Sequence, residues 1–208
     1  MADFRAVSAV CEAVVGLLRS ESAAAGFDHE LQFRVLTARQ LREEPMNAGV
    51  SLFLYRVYIN GTQRMPAGRL GPGGTQAAHQ LPLDLHFLLS FWGREASLQH
   101  RIAGWAMRII EDHPVLPAGV LNVVAADVFR PEETVEISPA ELSTEDLLRL
   151  WENLAQNEYH LSVPYQARAV WVEQPETETV GMGEFGSGPA DRPLVEERRF
   201  RHGVLERT

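Results

Sequence analysis

Apolar residues at Phe4, Val7, Val10, Cys11, Val14, Leu17 and Leu18 recur at helical spacing, which predicts an amphipathic helix from Asp3 to about Ala23 with Asp3 as its cap. Gly26 to His29 breaks that period. Leu31, Phe33 and Val35 then alternate with Gln32, Arg34 and Leu36, as a strand with one face in the core does. A polar segment ending at Pro45 to Gly49 follows. Val50 to Ile59 (VSLFLYRVYI) is rich in β-branched and aromatic residues and stops at Asn60-Gly61, so it reads as a strand running into a turn. Gly61 to Gln80 carries five glycines, two prolines and almost no large apolar groups, and predicts a mobile surface loop.

From Pro82 to Phe91 the alternation is strict: Leu83, Leu85, Phe87, Leu89 and Phe91 fall on one side, with Leu88 on the other. A strand patterned this way is covered on one face and partly on both, which places Leu81 to Trp92 inside the sheet. Arg94 to Glu111 sets Leu98, Ile102, Trp105 and Ile109 at helical steps, and Pro114 and Pro117 end that helix. Val120 to Val128 and Thr134 to Ile137 read as short strands. Ser143 and Asp146 form a capping box ahead of a third helix carrying Leu147, Leu150, Trp151 and Leu154. Tyr159 to Val172 alternates again, and Pro164 restricts its first half to pairing on one side.

These elements predict a mixed α/β fold: a single domain over residues 1–173 with a mixed β-sheet flanked by helices. The glycine, proline and acid content of 174–193 predicts a flexible linker. It leads to a C-terminal segment, 194–208, that reads as an interaction arm. There Leu194, Val195, Phe200, Val204 and Leu205 are apolar residues able to add a strand to a neighbouring sheet edge.

Composition narrows the function classes. Hydrophobic residues make up 45% of the chain and charged residues 23%, enough apolar surface for a core and too much for general disorder. The chain has no lysine, so all nineteen basic residues are arginine and no lysine serves catalysis. A net charge of -9 argues against nucleic acid, whose binders gain affinity from clustered cations. The single cysteine, Cys11, forms no internal disulfide, which fits a reducing cytoplasm. MADFRAVSAV has neither the apolar core of a signal peptide nor the length of a membrane span, so no membrane insertion is expected.

The search for chemistry yields little. Gly181, Gly183 and Gly186 match part of a dinucleotide fingerprint, but prolines follow where a helix is required, and a linker is the better reading. The seven histidines never stand at metal-site spacing, and no cofactor is expected. Ser51 lacks a glycine-flanked elbow and Cys11 lacks a basic partner, so neither reads as a nucleophile. The adjacent acids Glu43-Glu44 and Glu196-Glu197 read as solvated faces. Asp84 and His86, two apart on the central strand, are the one pair with general-base potential, although strand alternation alone produces the same pair.

Several collinear blocks resemble one family. They are MADFRAVSAV, VSLFLYRVYIN at Val50, LPLDLHFLLSFW at Leu81, LQHRIAGWAMRIIEDHPVLP at Leu98, VFRPEETVEI at Val128, LSTEDLLRLWENL at Leu142 and YHLSVPYQARAV at Tyr159. In this order they resemble the tail-terminator or cap proteins of bacterial contractile injection systems, over residues 1 to about 173. The resemblance implies a structural, non-enzymatic cap: a homohexameric ring that ends the inner tube and contractile sheath, with both those proteins as partners. It also implies assembly in the cytoplasm as part of a particle that extracellular types release. The alternative within the same particle is an adaptor or baseplate component. An enzyme using Asp84 and His86 ranks below both. Candidate protein contacts are Arg64 and Arg69 in the glycine-rich loop, together with Leu194, Val195, Phe200, Val204 and Leu205.

Overall fold

In the computed structural model, which describes residues 2–64, 80–155 and 158–173, the alternating residues Leu83, Leu85, Phe87, Leu89 and Phe91 are all buried on one face of a long strand. The elements run α1 (Ala6–Ser22), β1 (Gln32–Val35), α2 (Ala38–Glu43), β2 (Gly49–Ile59), β3 (Gln80–Trp92), α3 (Ala96–Asp112), β4 (Val115–Pro117), α4 (Ala118–Leu121), β5 (Thr134–Pro139), α5 (Thr144–Ala155) and β6 (Ser162–Glu173). One six-stranded sheet has the order β1-β2-β3-β6-β5-β4. β1 pairs parallel to β2 and every other neighbour pairs antiparallel. The mixed α/β fold is therefore as expected, and β3 is an interior strand. All described residues belong to one compact unit, Met1–Pro175; a second unit, Glu176–Thr208, lies outside them.

The two faces of the sheet are covered differently. α1 and α3 pack on the face formed by Val50, Leu52, Leu85, Phe87, Leu89, Ala167 and Val170, burying Val10, Val14, Leu18, Ile102 and Ala106 there. On the opposite face α2 and α5 cover only one end, through Leu36, Leu41, Leu88, Trp92, Trp151 and Leu154. Beneath them Ser51, Ser90 and Ser162 lie side by side across β2, β3 and β6. Trp92 Nε1 donates to Ser51 Oγ at 2.8 Å and Trp151 Nε1 to Ser162 Oγ at 2.9 Å, so both buried indoles are satisfied. Ser143 caps α5, with Asp146 N–H donating to Ser143 Oγ at 3.1 Å, while the Asp146 carboxylate accepts the Ser143 hydroxyl at 2.6 Å, so the cap is side chain to side chain on the return and not the full box read from the sequence.

Four local readings need correction. α1 begins at Ala6 with Arg5 as N-cap; Asp3 accepts the Arg5 N–H at 2.8 Å one turn earlier, and Phe4 is 76% exposed rather than part of the apolar stripe. The polar segment before β2 contains a helix, α2, started by a reciprocal capping box between Thr37 and Gln40. Leu41 is its one buried residue, too few for periodicity to reveal. Val115–Pro117 is a three-residue strand, below the length that alternation can mark. Val120 to Val128 is not a strand. Its start lies in α4, and the Asn122 side chain then bonds both the N–H and the carbonyl of Phe129, at 2.9 and 2.7 Å. This ties the segment into a loop that leaves Val123 75% exposed.

β3 is flanked by two irregularities. The register with β2 slips at Tyr55, and the register with β6 slips so that Arg168 and Ala169 together oppose Asp84. Ala169 takes φ of 53°, the left-handed conformation of a bulged residue. The first residues of β6, Ser162 to Pro164, are in register with β3, and β5 pairs with Tyr165 to Arg168, while the Pro164 carbonyl accepts the Ala140 N–H at 3.0 Å on the β5 side.

Candidate functional site

Asp84 and His86 project on the sheet face that α2 and α5 leave open. The Asp84 carboxylate accepts the Ala169 N–H at 2.9 Å and the Asn60 side-chain amide at 3.0 and 3.3 Å. It thus holds the bulge of β6 on one side and the end of β2 on the other. Asn60 Oδ1 in turn accepts the N–H groups of Thr62 and Gln63, closing the turn that the Asn-Gly pair predicted. His86 lies edge-on to Tyr58 (ring centroids 5.1 Å apart) and Tyr55 (6.2 Å). Burial lowers its pKa; the Asp84 charge opposes that shift and Arg56 adds to it. Asp84 and His86 share no hydrogen bond among the described residues. Asp84 works as a structural acceptor, so Asp84→Ala, which strands the Ala169 and Asn60 donors, is expected to lower stability by about 1–3 kcal/mol. Urea unfolding of the variant measures this, and an unchanged midpoint would contradict the assignment.

Other candidates have ordinary environments. Ser51 is buried under Trp92 as a hydrogen-bond acceptor. The Cys11 thiol is buried, its pKa pushed up to about 12 by desolvation, with Glu12 adding to the shift, so it is held as the unreactive thiol. Glu43 pairs with Arg39 and Glu44 with Arg34 on the surface. No group of three His, Cys, Asp or Glu among the described residues is arranged to hold a metal. Arg64 is exposed and its N–H donates to the Asn60 carbonyl. Arg69, Leu194, Val195, Phe200, Val204, Leu205, Glu196, Glu197 and the glycines Gly181, Gly183 and Gly186 lie outside the described residues. No described helix is long and apolar enough to cross a membrane.

His160 is a titratable group that sequence reasoning passed over as ordinary. Its ring packs 4.4 Å from Trp92 and 5.2 Å from Trp151, between the sheet and α5. Burial lowers its pKa from the usual 6.5, with Glu158 opposing. A folded-state pKa below the unfolded value means that neutral His160 contributes stability above the ordinary histidine range, and that this contribution is lost as pH falls through it. Urea midpoints are expected to drop between about pH 7.5 and 5.5, and His160→Phe, which keeps a ring in the stack, should flatten that slope.

The surfaces left uncovered are more distinctive than any cavity. At the far end of β2, Arg56 stacks over the Tyr58 ring at 3.6 Å, and Val57 and Ile59 are 46% and 54% exposed. An open groove is lined by Arg19, Phe27, His29, Gln32 and Arg34, remote in sequence from Asp84 and His86.

Residues 9–183 match the model of the family described as the Pvc16 N-terminal domain. The chain belongs to the Pvc16 N-terminal domain family. The resemblance to terminator proteins drawn from the collinear blocks is thereby borne out. Two solved structures share the fold of this Pvc16 N-terminal domain. One is the sheath/tube terminator in the extended state of an extracellular contractile injection system, PVC, at 19% identity and a TM-score of 0.54, covering 92% of this chain and 63% of that one. The other is the tube-terminating cap of the anti-feeding prophage, at 15% identity and a TM-score of 0.56, covering 86% and 60%. The chain thus spans about three fifths of the length of each. No curated protein sequence matches it significantly.

Proposed function

We propose that this protein is the structural cap of a contractile injection system, ending the inner tube and sheath and joining them. Membership of the Pvc16 N-terminal domain family over residues 9–183 carries the reading. The fold shared with a sheath/tube terminator and a tube-terminating cap supports it. The geometry is compatible with such a role: Asp84, the best catalytic candidate, is engaged in holding two strands, and Val57 and Ile59 at the far end of β2 are exposed. On this reading the protein is not an enzyme. Its partners are the sheath and inner tube proteins and further copies of itself, assembled as a homohexameric ring in the cytoplasm. A ring of this kind requires head-to-tail contacts between unlike surfaces. Arg64, Arg69 and the C-terminal residues Leu194, Val195, Phe200, Val204 and Leu205 are the proposed contact residues.

Electron microscopy of purified particles carrying a labelled copy of this protein tests its position. The cap reading expects label at one end of the particle, at the last disc of tube and sheath. Label at the baseplate would favour an adaptor instead.

A further inference from the structure

Two exposed patches within the domain each lack the charge that the other carries. One lies on the flank of α5. Leu148 is 45% exposed and Tyr159, just beyond the helix, 49%. Together with Trp151 they line a recess that also holds Glu152 and Glu158, both exposed. Glu145 on the same helix is paired with Arg149, whereas no ion pair among the described residues engages Glu152 or Glu158. The other patch lies on the part of the sheet face that α2 and α5 leave open. There Arg56, in register with His86, lies over the Tyr58 ring at 3.6 Å. Arg5, Arg39, Arg108 and Arg149 are each paired with an acid two to four residues away. Arg56 has no carboxylate partner among the described residues, because Asp84, opposite Tyr58, is held by Asn60 and the Ala169 N–H.

We infer that these two patches meet between copies of this chain: Arg56 and Tyr58 of one copy enter the recess beside α5 of the next. The guanidinium reaches Glu152 and Glu158, and the Tyr58 ring covers Leu148 and Tyr159. Charge selects a second copy as the occupant. At a net charge of -9 the copies repel one another, so a contact between them needs a local match of opposite sign. Arg56 against two unpaired carboxylates supplies that match, and a guanidinium fork suits carboxylates better than any other cation. Stacking on Tyr58 holds the fork in place before the contact forms, so pairing costs it little freedom. Arginine, tyrosine and tryptophan, all present here, are also the residues that carry most interface energy. Either patch facing itself across a two-fold axis would set like charges together. The contact is therefore between unlike surfaces and repeats from copy to copy, as a closed ring requires. It rests on the ring reading proposed above and names the surfaces that join neighbours in it.

The test is sedimentation velocity of the full chain as wild type, as Arg56→Glu and as Glu152→Arg/Glu158→Arg. All three substituted residues are exposed, so both variants should unfold in urea at the wild-type midpoint, which checks that they fold. The wild type is expected to associate as its concentration rises. Each variant alone should need roughly tenfold or more higher concentration, because its two patches then carry like charge. An equimolar mixture of the two variants should regain wild-type association, since every contact between unlike copies again joins opposite charges. Association of both variants at the wild-type concentration overturns this contact and leaves the ring reading standing. A loss in both variants that mixing does not restore overturns the pairing of these two patches. A wild-type chain that stays monomeric at every concentration overturns the contact and the ring together.

Discussion

Trp151→Ala is expected to destabilise the domain by about 3–5 kcal/mol, the range for truncating a fully buried large aromatic. Trp151 is 2% exposed and is the main anchor of α5 on the sheet. Its ring contacts His160 and Tyr159, and its indole N–H occupies Ser162 Oγ at 2.9 Å. Alanine removes the packing and also leaves a buried serine hydroxyl without its donor, in a row where Ser90 Oγ already has no protein partner. α5 retains Leu147, Leu150 and Leu154 as its remaining apolar contacts with the sheet, so it should detach first, exposing Trp92 and quenching or shifting its fluorescence. Trp151→Phe separates the two effects: it keeps most of the ring and should cost distinctly less. Equilibrium urea unfolding of both variants checks the order, and equal losses would show that the hydrogen bond, not the packing, dominates.

Gly49→Ala should cost on the order of 2–4 kcal/mol although it adds a single methyl group. Gly49 opens β2 with φ of 140°, a region side chains rarely enter. A Cβ there would stand 1.9 Å from the Gln32 carbonyl oxygen and 2.7 Å from the Gln32 nitrogen. Both are backbone atoms of β1, which is paired in register with β2 at that residue, so neither yields without breaking the parallel ladder. Gly16→Ala, where a Cβ meets no atom within 4 Å inside a helix, is the matched control and should be neutral to slightly stabilising. Thermal unfolding of the pair gives the comparison; a similar melting temperature for Gly49→Ala and wild type would contradict the close approach.

Elements legible in the sequence were those whose pattern reflects burial by the rest of the chain. β3 alternates from Leu83 to Phe91 because one face is buried along that stretch, and Leu88 marks the cover that α2 and α5 give the other face at one end. α1, α3 and α5 likewise carry continuous apolar stripes. α2 and β4 are too short to show a period, and the capping box at Thr37 was the available signal for α2. Val120 to Val128 misled because an apolar run carries no information on whether a side chain such as Asn122 folds it back on itself. The role of Asp84 is a tertiary fact: the donors that engage it, Asn60 and Ala169, are 24 and 85 residues away. Its spacing from His86 suggested chemistry, whereas its partners show a fastening between strands. The family, by contrast, was legible from the order of several blocks, each supplying elements of the same sheet and its covering helices.

As the proposed cap, this protein ends a contractile particle. Deleting its gene and measuring sheath lengths in purified particles by electron microscopy tests this role most directly. Sheaths of irregular length, lacking a cap density at one end, are expected, with uniform length restored by the wild-type gene supplied separately. Capped particles of normal, uniform length in the deletion strain would contradict it.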